Sequence, residues 1–244
     1  MKSWSFSHIG KRKVNEDVVI AQAFENNTSL IAVVDGMGGY DYGDMAASVV
    51  AENITTYLST VTEPNPYHIQ KAVNKANLAL RQKREALSLK MGATIGGVII
   101  IGGNSAICFW VGDVKIFHFR NRRLVFESHP HTLVNQLVSQ EPPISVSSLS
   151  RYRHIVTRSV HGDLEYSQAE IYNIARVQRS DLFIVCSDGV HDLIDGLYLE
   201  KQLSITIDLN ELLSQIECKL LNEAKDNYSL VTASFNRDNL HNKN

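Results

Sequence analysis

Cysteine is scarce and odd in number: Cys108, Cys186 and Cys218 are the only three in 244 residues. That count argues against a disulfide framework, and Cys108 and Cys186 lie inside apolar, strand-like runs where a free thiol behaves as a small core residue. An excess of one charge is also lacking. With 24 Lys and Arg against 26 Asp and Glu, the chain has no electrostatic reason to take nucleic acid or an anionic membrane as its main partner, so any recognition of phosphate must be local. The first eight residues, Met1 to His8, contain no apolar core of secretory-signal length, which predicts a reducing, cytoplasmic setting. Met91 to Gly112 carries no charge over nearly the length of a bilayer span. Gly96-Gly97 and Gly102-Gly103-Asn104 interrupt it, however, and the second cluster marks a turn between two β-branched or aromatic runs, so a buried hairpin is expected instead. No internal repeat, low-complexity tract or sustained βαβ alternation is present.

What is there is a 44% hydrophobic chain with enough length for one large core. Trp4, Phe6 and His8 alternate with serines as a half-buried first strand would, and Val18 to Ala23 follows as a second. Leu30 to Val34 is a continuous apolar run, the pattern of a strand buried on both faces. A helix is expected from about Gly43 to Val61 on the spacing of Ala46, Val50, Ile54, Tyr57 and Val61, with Asp41 or Asp44 as its cap. Pro64 and Pro66 break the chain before a second helix, His68 to Leu89, with Ile69, Val73, Ala76, Leu80 and Leu87 on its apolar face. Strands follow at Ala93 to Ile101, Ala106 to Val111 and Lys115 to Arg120, then a tight Asn121-Arg122 turn into Leu124 to Phe126. Further strands are expected at His154 to Arg158, Ala169 to Ile174 and Leu182 to Cys186, a helix at Leu209 to Ala224, and a closing strand at Ser229 to Phe235. Between His131 and Arg153 the pattern weakens, and a surface segment is expected there. The reading is α+β: a central antiparallel β-sandwich flanked by α-helices on both sides, four layers α-β-β-α, in one domain over residues 1–240.

The acids distribute unevenly along this pattern. Asp35-Gly36-Met37-Gly38-Gly39 follows one buried run and Ser187-Asp188-Gly189 another, while Glu16-Asp17, Asp113, Asp192 and Asp226-Asn227 also fall at strand ends. Each Asp-Gly alone is a common turn. Gathered on one edge, five or more carboxylates would repel severely unless cations lay among them, and an all-oxygen set favours hard divalent ions over zinc. No Cys/His spacing of the zinc type occurs. His129 and His131 are assigned to a turn or the surface, and His161 and His191 to local hydrogen bonding.

The ordered set Arg12-x-x-Asn15-Glu16-Asp17, Asp35-Gly36-Met37-Gly38-Gly39, Gly92-Ala93-Thr94, Gly112-Asp113, Ser187-Asp188-Gly189-x-x-Asp192 and Asp226-Asn227 resembles the metal-dependent Ser/Thr protein phosphatases of type 2C, from Ser7 to Phe235, and most the compact bacterial stand-alone members. The resemblance implies that Asp35 bridges two Mn2+ or Mg2+ ions, with Glu16 and the Gly36 carbonyl on one and Asp188 and Asp226 on the other. It further implies that Arg12 binds substrate phosphate, that Asp17 orients the attacking water, and that Asp113 with Asp188 and Asp192 forms a weaker third site. Asn227 would shape the final ligand turn. The implied reaction is hydrolysis of phosphoserine and phosphothreonine in proteins by in-line attack of a metal-activated hydroxide, with an opposing Ser/Thr kinase as the partner enzyme. A catalytically silent phosphoprotein-binding relative and another two-metal phosphoesterase are the alternatives. Met37 stands where many eukaryotic relatives have a histidine, Val114-Lys115 replaces the usual Ser-Arg, and Ala93 replaces the first threonine of Gly-Thr-Thr. Leu133 to Tyr152 corresponds to the variable flap and is the candidate for substrate selection.

Overall fold

A computed structural model of the chain describes residues 1–37, 42–138, 152, 154–206 and 208–235. Gly38, Gly39, Asp41 and most of the flap expected at 133–152 lie outside the described residues. Ten strands among the described residues form two antiparallel sheets. One has the order β1 (Lys2–His8), β10 (Tyr228–Ser234), β9 (Asp181–Cys186), β6 (Lys115–Arg120), β7 (Arg123–Glu127). The other runs β2 (Asp17–Ala23), β3 (Thr28–Gly36), β4 (Ala93–Ile101), β5 (Ser105–Val111), β8 (Glu170–Ile174). Helices α1 (Gly43–Ser59) and α2 (Pro66–Leu87) cover the second sheet. Helices α5 (Gly196–Ile205) and α6 (Leu209–Glu223) cover the first, and short helices α3 (Leu133–Val138) and α4 (Asp188–His191) lie in connections.

The period-2 geometry of a strand explains why the central runs are apolar on every residue. Leu30, Ala32 and Val34 of β3 pack toward α1 and α2, whereas Ile31 and Val33 enter the space between the sheets. In the opposite sheet, Leu182, Ile184 and Cys186 face α5 and α6, while Phe183 and Val185 meet β3 and β4 residues across the sandwich. Three apolar layers therefore separate four layers of structure, as expected. At about 1.5–3 kcal/mol for each fully buried Val, Leu or Ile, the shared middle layer clamps the two sheets face to face and fixes which strand ends meet.

Four local expectations are corrected. Tyr42 occupies the N-cap of α1 and makes no side-chain capping bond, while Asp44 sits in the first turn, so Asp44 is not the cap. Pro66 opens α2 instead of only interrupting the chain: its fixed φ suits the first helical position, and Asn65 accepts from the His68 amide at 3.2 Å. Leu87, at the frayed end of α2, is 43% exposed and leaves the apolar face. The strand expected over His154 to Arg158 reduces to isolated bridges, Thr132 with Val156 and Ala93 with Val160. Helix α5 was not expected; its Asp195 cap accepts from the Tyr198 amide at 2.7 Å, but exposed Leu197 and Ile205 blur its apolar period. The turns did follow the sequence: Gly102 and Gly103 adopt φ of +58° and +67°, and Asn121 and Arg122 adopt +51° and +65°.

Candidate active site

Strand register alone brings the first acids together. Asp17 opens β2 directly opposite Asp35, which ends β3, and Asp35 is in turn opposite Thr94 at the start of β4. Directly opposed residues in an antiparallel pair have Cα atoms only about 5 Å apart. The Gly112 turn closes against Thr94, with φ of +106° and no room for a Cβ, which would lie 2.3 Å from the Thr94 Cβ; the turn delivers Asp113 to the same edge. In the other sheet β9 ends at Cys186, so Asp188 emerges beside β10, which starts just after Asp226. The His8 end of β1 lies opposite Tyr228 and leads into the loop bearing Arg12 and Glu16. All of these ends share one pole of the sandwich.

The loop carrying Arg12 and Glu16 is tied down by one carboxamide. Asn227, buried, donates through Nδ2 to the carbonyls of Ile9 at 2.8 Å and Val14 at 2.9 Å, and its Oδ1 accepts from the Glu16 amide at 3.0 Å. The Gly36 amide donates to the Glu16 carbonyl at 3.1 Å, joining this loop to the end of β3. Gly43 allows the Glu16 carboxylate to lie against the start of α1, where a Cβ would sit 2.6 Å from the carboxyl group. Ser187 donates to Asp17 Oδ2 at 2.8 Å and accepts from the Ser229 amide at 3.0 Å, so it links β2 to the second sheet. Asp17 Oδ1 is buried and has no partner among the described residues.

The electrostatics record the crowding. Burial first, then Asp17, Asp188, Asp113 and Asp226, drive the Asp35 carboxyl well above its ordinary range. Burial and then Asp113, Asp226, Asp192 and Asp17 do the same to Asp188. Asp17 is pushed up to about 6 by burial, against the hydrogen bonds from Ser229 and Ser187. Burial raises Asp113 and Glu16 too. Arg12 is the cation that reaches this group: its Nη2 lies 2.5 Å from Asp226 Oδ2, half exposed at the rim, and that hydrogen bond raises its own pKa. Its neighbours in the basic run, Lys11 and Lys13, are exposed. Asp192 caps the C-terminal end of α4 and is 43% exposed, within 3.7 Å of His154.

Every sequence-derived site residue thus falls at this pole: Arg12, Glu16, Asp17, Asp35, Gly36, Asp113, Asp188, Asp192 and Asp226. Among the described residues they do not close into a ready-made coordination shell of three or more Asp, Glu, His or Cys. Their chemistry nevertheless fits hard divalent cations: the donors are oxygen, the carboxylates repel one another, and a buried carboxylate oxygen at their centre has no partner.

Sequence reasoning missed the supports. His131 was assigned to a turn or the surface, yet it is buried and accepts the Gly112 amide on Nδ1 at 2.9 Å, while its own amide donates to the Gly112 carbonyl at 2.8 Å. The β6–β7 hairpin returns the chain to that point, a contact over 19 residues that no local pattern announces. His191 does make the expected local bond, its Nε2 lying 2.9 Å from the Asp113 carbonyl. Two of the three departures from the family pattern also have structural roles. Val114 is buried against Gly96, Lys115 pairs with Glu127, and Ala93 exchanges amide and carbonyl with Val160 at 2.9 Å each way.

The family model for protein phosphatase 2C matches residues 6–232. The chain is 26% identical over 236 residues to a putative protein phosphatase of Mycoplasma pneumoniae, covering 90% of each chain. It is 25% identical over 239 residues to protein phosphatase PhpP of Streptococcus pneumoniae, covering 93% of this chain and 94% of that one. In fold, the serine/threonine phosphatase Stp1 of Staphylococcus aureus superposes with a TM-score of 0.84 at 20% identity, over 96% of this chain and 94% of that one.

Proposed function

Since this chain belongs to the protein phosphatase 2C family and is a protein serine/threonine phosphatase, we propose that it hydrolyses phosphoserine and phosphothreonine with two divalent cations, Mn2+ or Mg2+, held at the acidic pole. Glu16, Asp35 and the Gly36 carbonyl would hold one cation and Asp35, Asp188 and Asp226 the other, with Asp113, Asp188 and Asp192 as a weaker third set. Such cations supply the positive charge that lets a phosphomonoester dianion approach, polarise its oxygens and activate water. The protein's own residues do the rest. Arg12, at the rim, offers a planar fork that matches two phosphate oxygens at once, which a lysine cannot do. Asp17 is anchored through Oδ2 by Ser187, and its free Oδ1 is the acceptor that aligns the attacking water. Met37 has no proton to give, so the leaving serine or threonine oxygen takes its proton from water.

The observation that carries this reading is the convergence of buried acids from both sheets, Asp17 opposite Asp35 in register and Asp188 beside the start of β10, where burial first and then the neighbouring carboxylates raise Asp35 and Asp188. A group so arranged is unfavourable without compensating charge. Phosphorylated proteins are the substrates in this reading, and a Ser/Thr kinase supplies them. The chain has no helix among its described residues long and apolar enough to cross a membrane. The test is hydrolysis of a phosphothreonine peptide with Mn2+, with Mg2+ and after chelation, beside a single-stranded DNA control. Peptide hydrolysis that needs the cation is expected. Chelator-resistant turnover would remove the two-cation mechanism, and cleavage of DNA in preference to the peptide would favour a different phosphoesterase.

A further inference from the structure

A second concavity lies at the opposite pole of the sandwich. Strands β1, β9 and β10 each have one end near the acidic group and the other at this concavity, where Trp4, Leu182 and Ser234 line it. Six or seven residues per strand at about 3.3 Å per residue put roughly 20 Å between the poles. The cavity is about 660 Å3, within the usual size of a small-molecule site. Its floor is apolar, built from Phe119, Leu203 and Leu212 below the half-buried ring of Trp4.

The charged residues on its lining are Lys2, Arg122, Arg179, Asp181 and Asp208, and they do not balance. Asp181 faces the cavity but is fully engaged: Arg120 grips both its oxygens at 2.7 and 2.9 Å, and the Gln178 amide adds a third bond at 2.8 Å. Asp208 is occupied as the α6 cap, accepting from the Asn210 amide at 2.9 Å. Arg122 and Arg179, by contrast, are exposed on the lining and have no ion pair or hydrogen bond among the described residues. Arg122 also occupies a left-handed position, φ +65°, at the second place of the β6–β7 turn, where glycine costs least.

We propose that this cavity binds a small amphipathic anion: an organic phosphate or carboxylate whose apolar body is the size of a nucleoside or a short acyl chain. The anionic head meets Arg122 and Arg179, whose forks suit either group. The apolar body fills the space above Leu203 and Leu212 and lies against Trp4. Nothing in this assignment depends on the acidic pole.

The probe is 1-anilinonaphthalene-8-sulfonate, an amphipathic anion whose fluorescence reports entry into an apolar site, titrated into the folded protein. Saturable binding at one site per chain is expected, weakened at least tenfold in the Arg122→Gln/Arg179→Gln double variant and blocked in Thr206→Trp, which fills the cavity without altering charge. Unchanged hydrolysis of p-nitrophenyl phosphate and an unchanged melting temperature certify that both variants are folded. Displacement by AMP assigns the site to nucleotides, and displacement by octanoate to acyl anions. Equal probe binding by wild type and the double variant, or displacement by neither competitor, overturns the proposal.

Discussion

Replacing Asn227 tests whether one carboxamide holds the substrate side of the acidic pole. Its three hydrogen bonds serve the carbonyls of Ile9 and Val14 and the amide of Glu16. In Asn227→Ala the Glu16 amide and the Val14 carbonyl lose their partner, while the Ile9 carbonyl keeps the Arg12 amide at 3.2 Å. A stranded buried group costs about 1–3 kcal/mol. Val14 is an exposed residue whose carbonyl regains water, so the lower end applies to each of the two and the sum is about 2 kcal/mol. For a chain of this size that corresponds to roughly 4–8 °C in melting temperature. The loop keeps weaker ties, among them the Lys11 amide to the Lys225 carbonyl at 3.3 Å and Asn15 to Ser7 at 2.8 Å, so it loosens without detaching. Arg12 and Glu16 ride on it, and kcat/KM toward a phosphothreonine peptide should fall more than tenfold. Asn227→Asp separates the contributions: it keeps the acceptor for the Glu16 amide, removes both donors, and adds a negative charge next to Asp226. It should match the alanine variant in stability and fall below it in activity. Thermal denaturation and peptide hydrolysis, measured on the same preparations, decide the matter. An alanine variant melting within 2 °C of wild type with unaltered kcat/KM would falsify the clasp.

Three further outcomes are expected. Asp35→Asn should lower peptide hydrolysis by at least about 100-fold, yet stabilise the chelated protein by roughly 1–3 kcal/mol at pH 8. The sign follows from the raised folded pKa: ionisation of Asp35 opposes folding above the ordinary aspartate value and has no effect below it, so urea unfolding should show the gain at pH 8 and none near pH 3. Mn2+ at about 100 times its dissociation constant should stabilise the wild type by roughly 2.7 kcal/mol, read as a rise in melting temperature that is largely lost in Asp35→Asn. Arg120→Met leaves the Asp181 carboxylate, whose side chain is 0% exposed, without its charged partner and should cost about 3 kcal/mol with hydrolysis retained. Although burial raises Asp181, bonds from Arg120, the Gln178 amide and His118 outweigh it and lower its pKa. The wild-type pair therefore stabilises above the ordinary aspartate value and is lost as pH falls through the lower folded value, so the cost of Arg120→Met should shrink on acidification.

The layers were legible because period 2 and period 3.6 are unambiguous where both faces of a strand or one face of a helix must be dry. Leu30 to Val34 and Leu182 to Cys186 read as doubly buried strands, and they are. The acidic residues were legible for a different reason: they lie at the end of a strand or just before one, so predicting the strands also places them. What was not legible depends on how distant segments pack. His131 meets Gly112 only because a hairpin intervenes, and the bridges at Val156 and Val160 borrow their partners from Thr132 and Ala93. Helix α5 escaped because two of its apolar residues, Leu197 and Ile205, point outward. The flap over residues 139–151 lies outside the described residues, so substrate selection by it rests on the sequence alone.

The position of the acids also bears on why the middle layer of the sandwich is so uniformly apolar. Asp17 and Asp35 are fixed by register, and Asp188 is fixed by a strand of the other sheet, so their separation is set by how tightly the two sheets pack. Repulsion among them acts to pry the sheets apart at that pole. Ile31, Val33, Val98, Phe183, Val185 and Val231 lie between the sheets with no measurable exposure and oppose that separation. Ser187 adds a polar tie between the sheets at that pole, joining Asp17 of one sheet to the Ser229 amide of the other. A large-to-small substitution such as Val33→Ala should therefore do more than lower stability by about 2 kcal/mol: by letting the sheets relax apart, it should weaken Mn2+ activation although residue 33 touches no site atom. A variant that lost the stability but kept the same Mn2+ dependence would show that the acids are positioned by their loops alone.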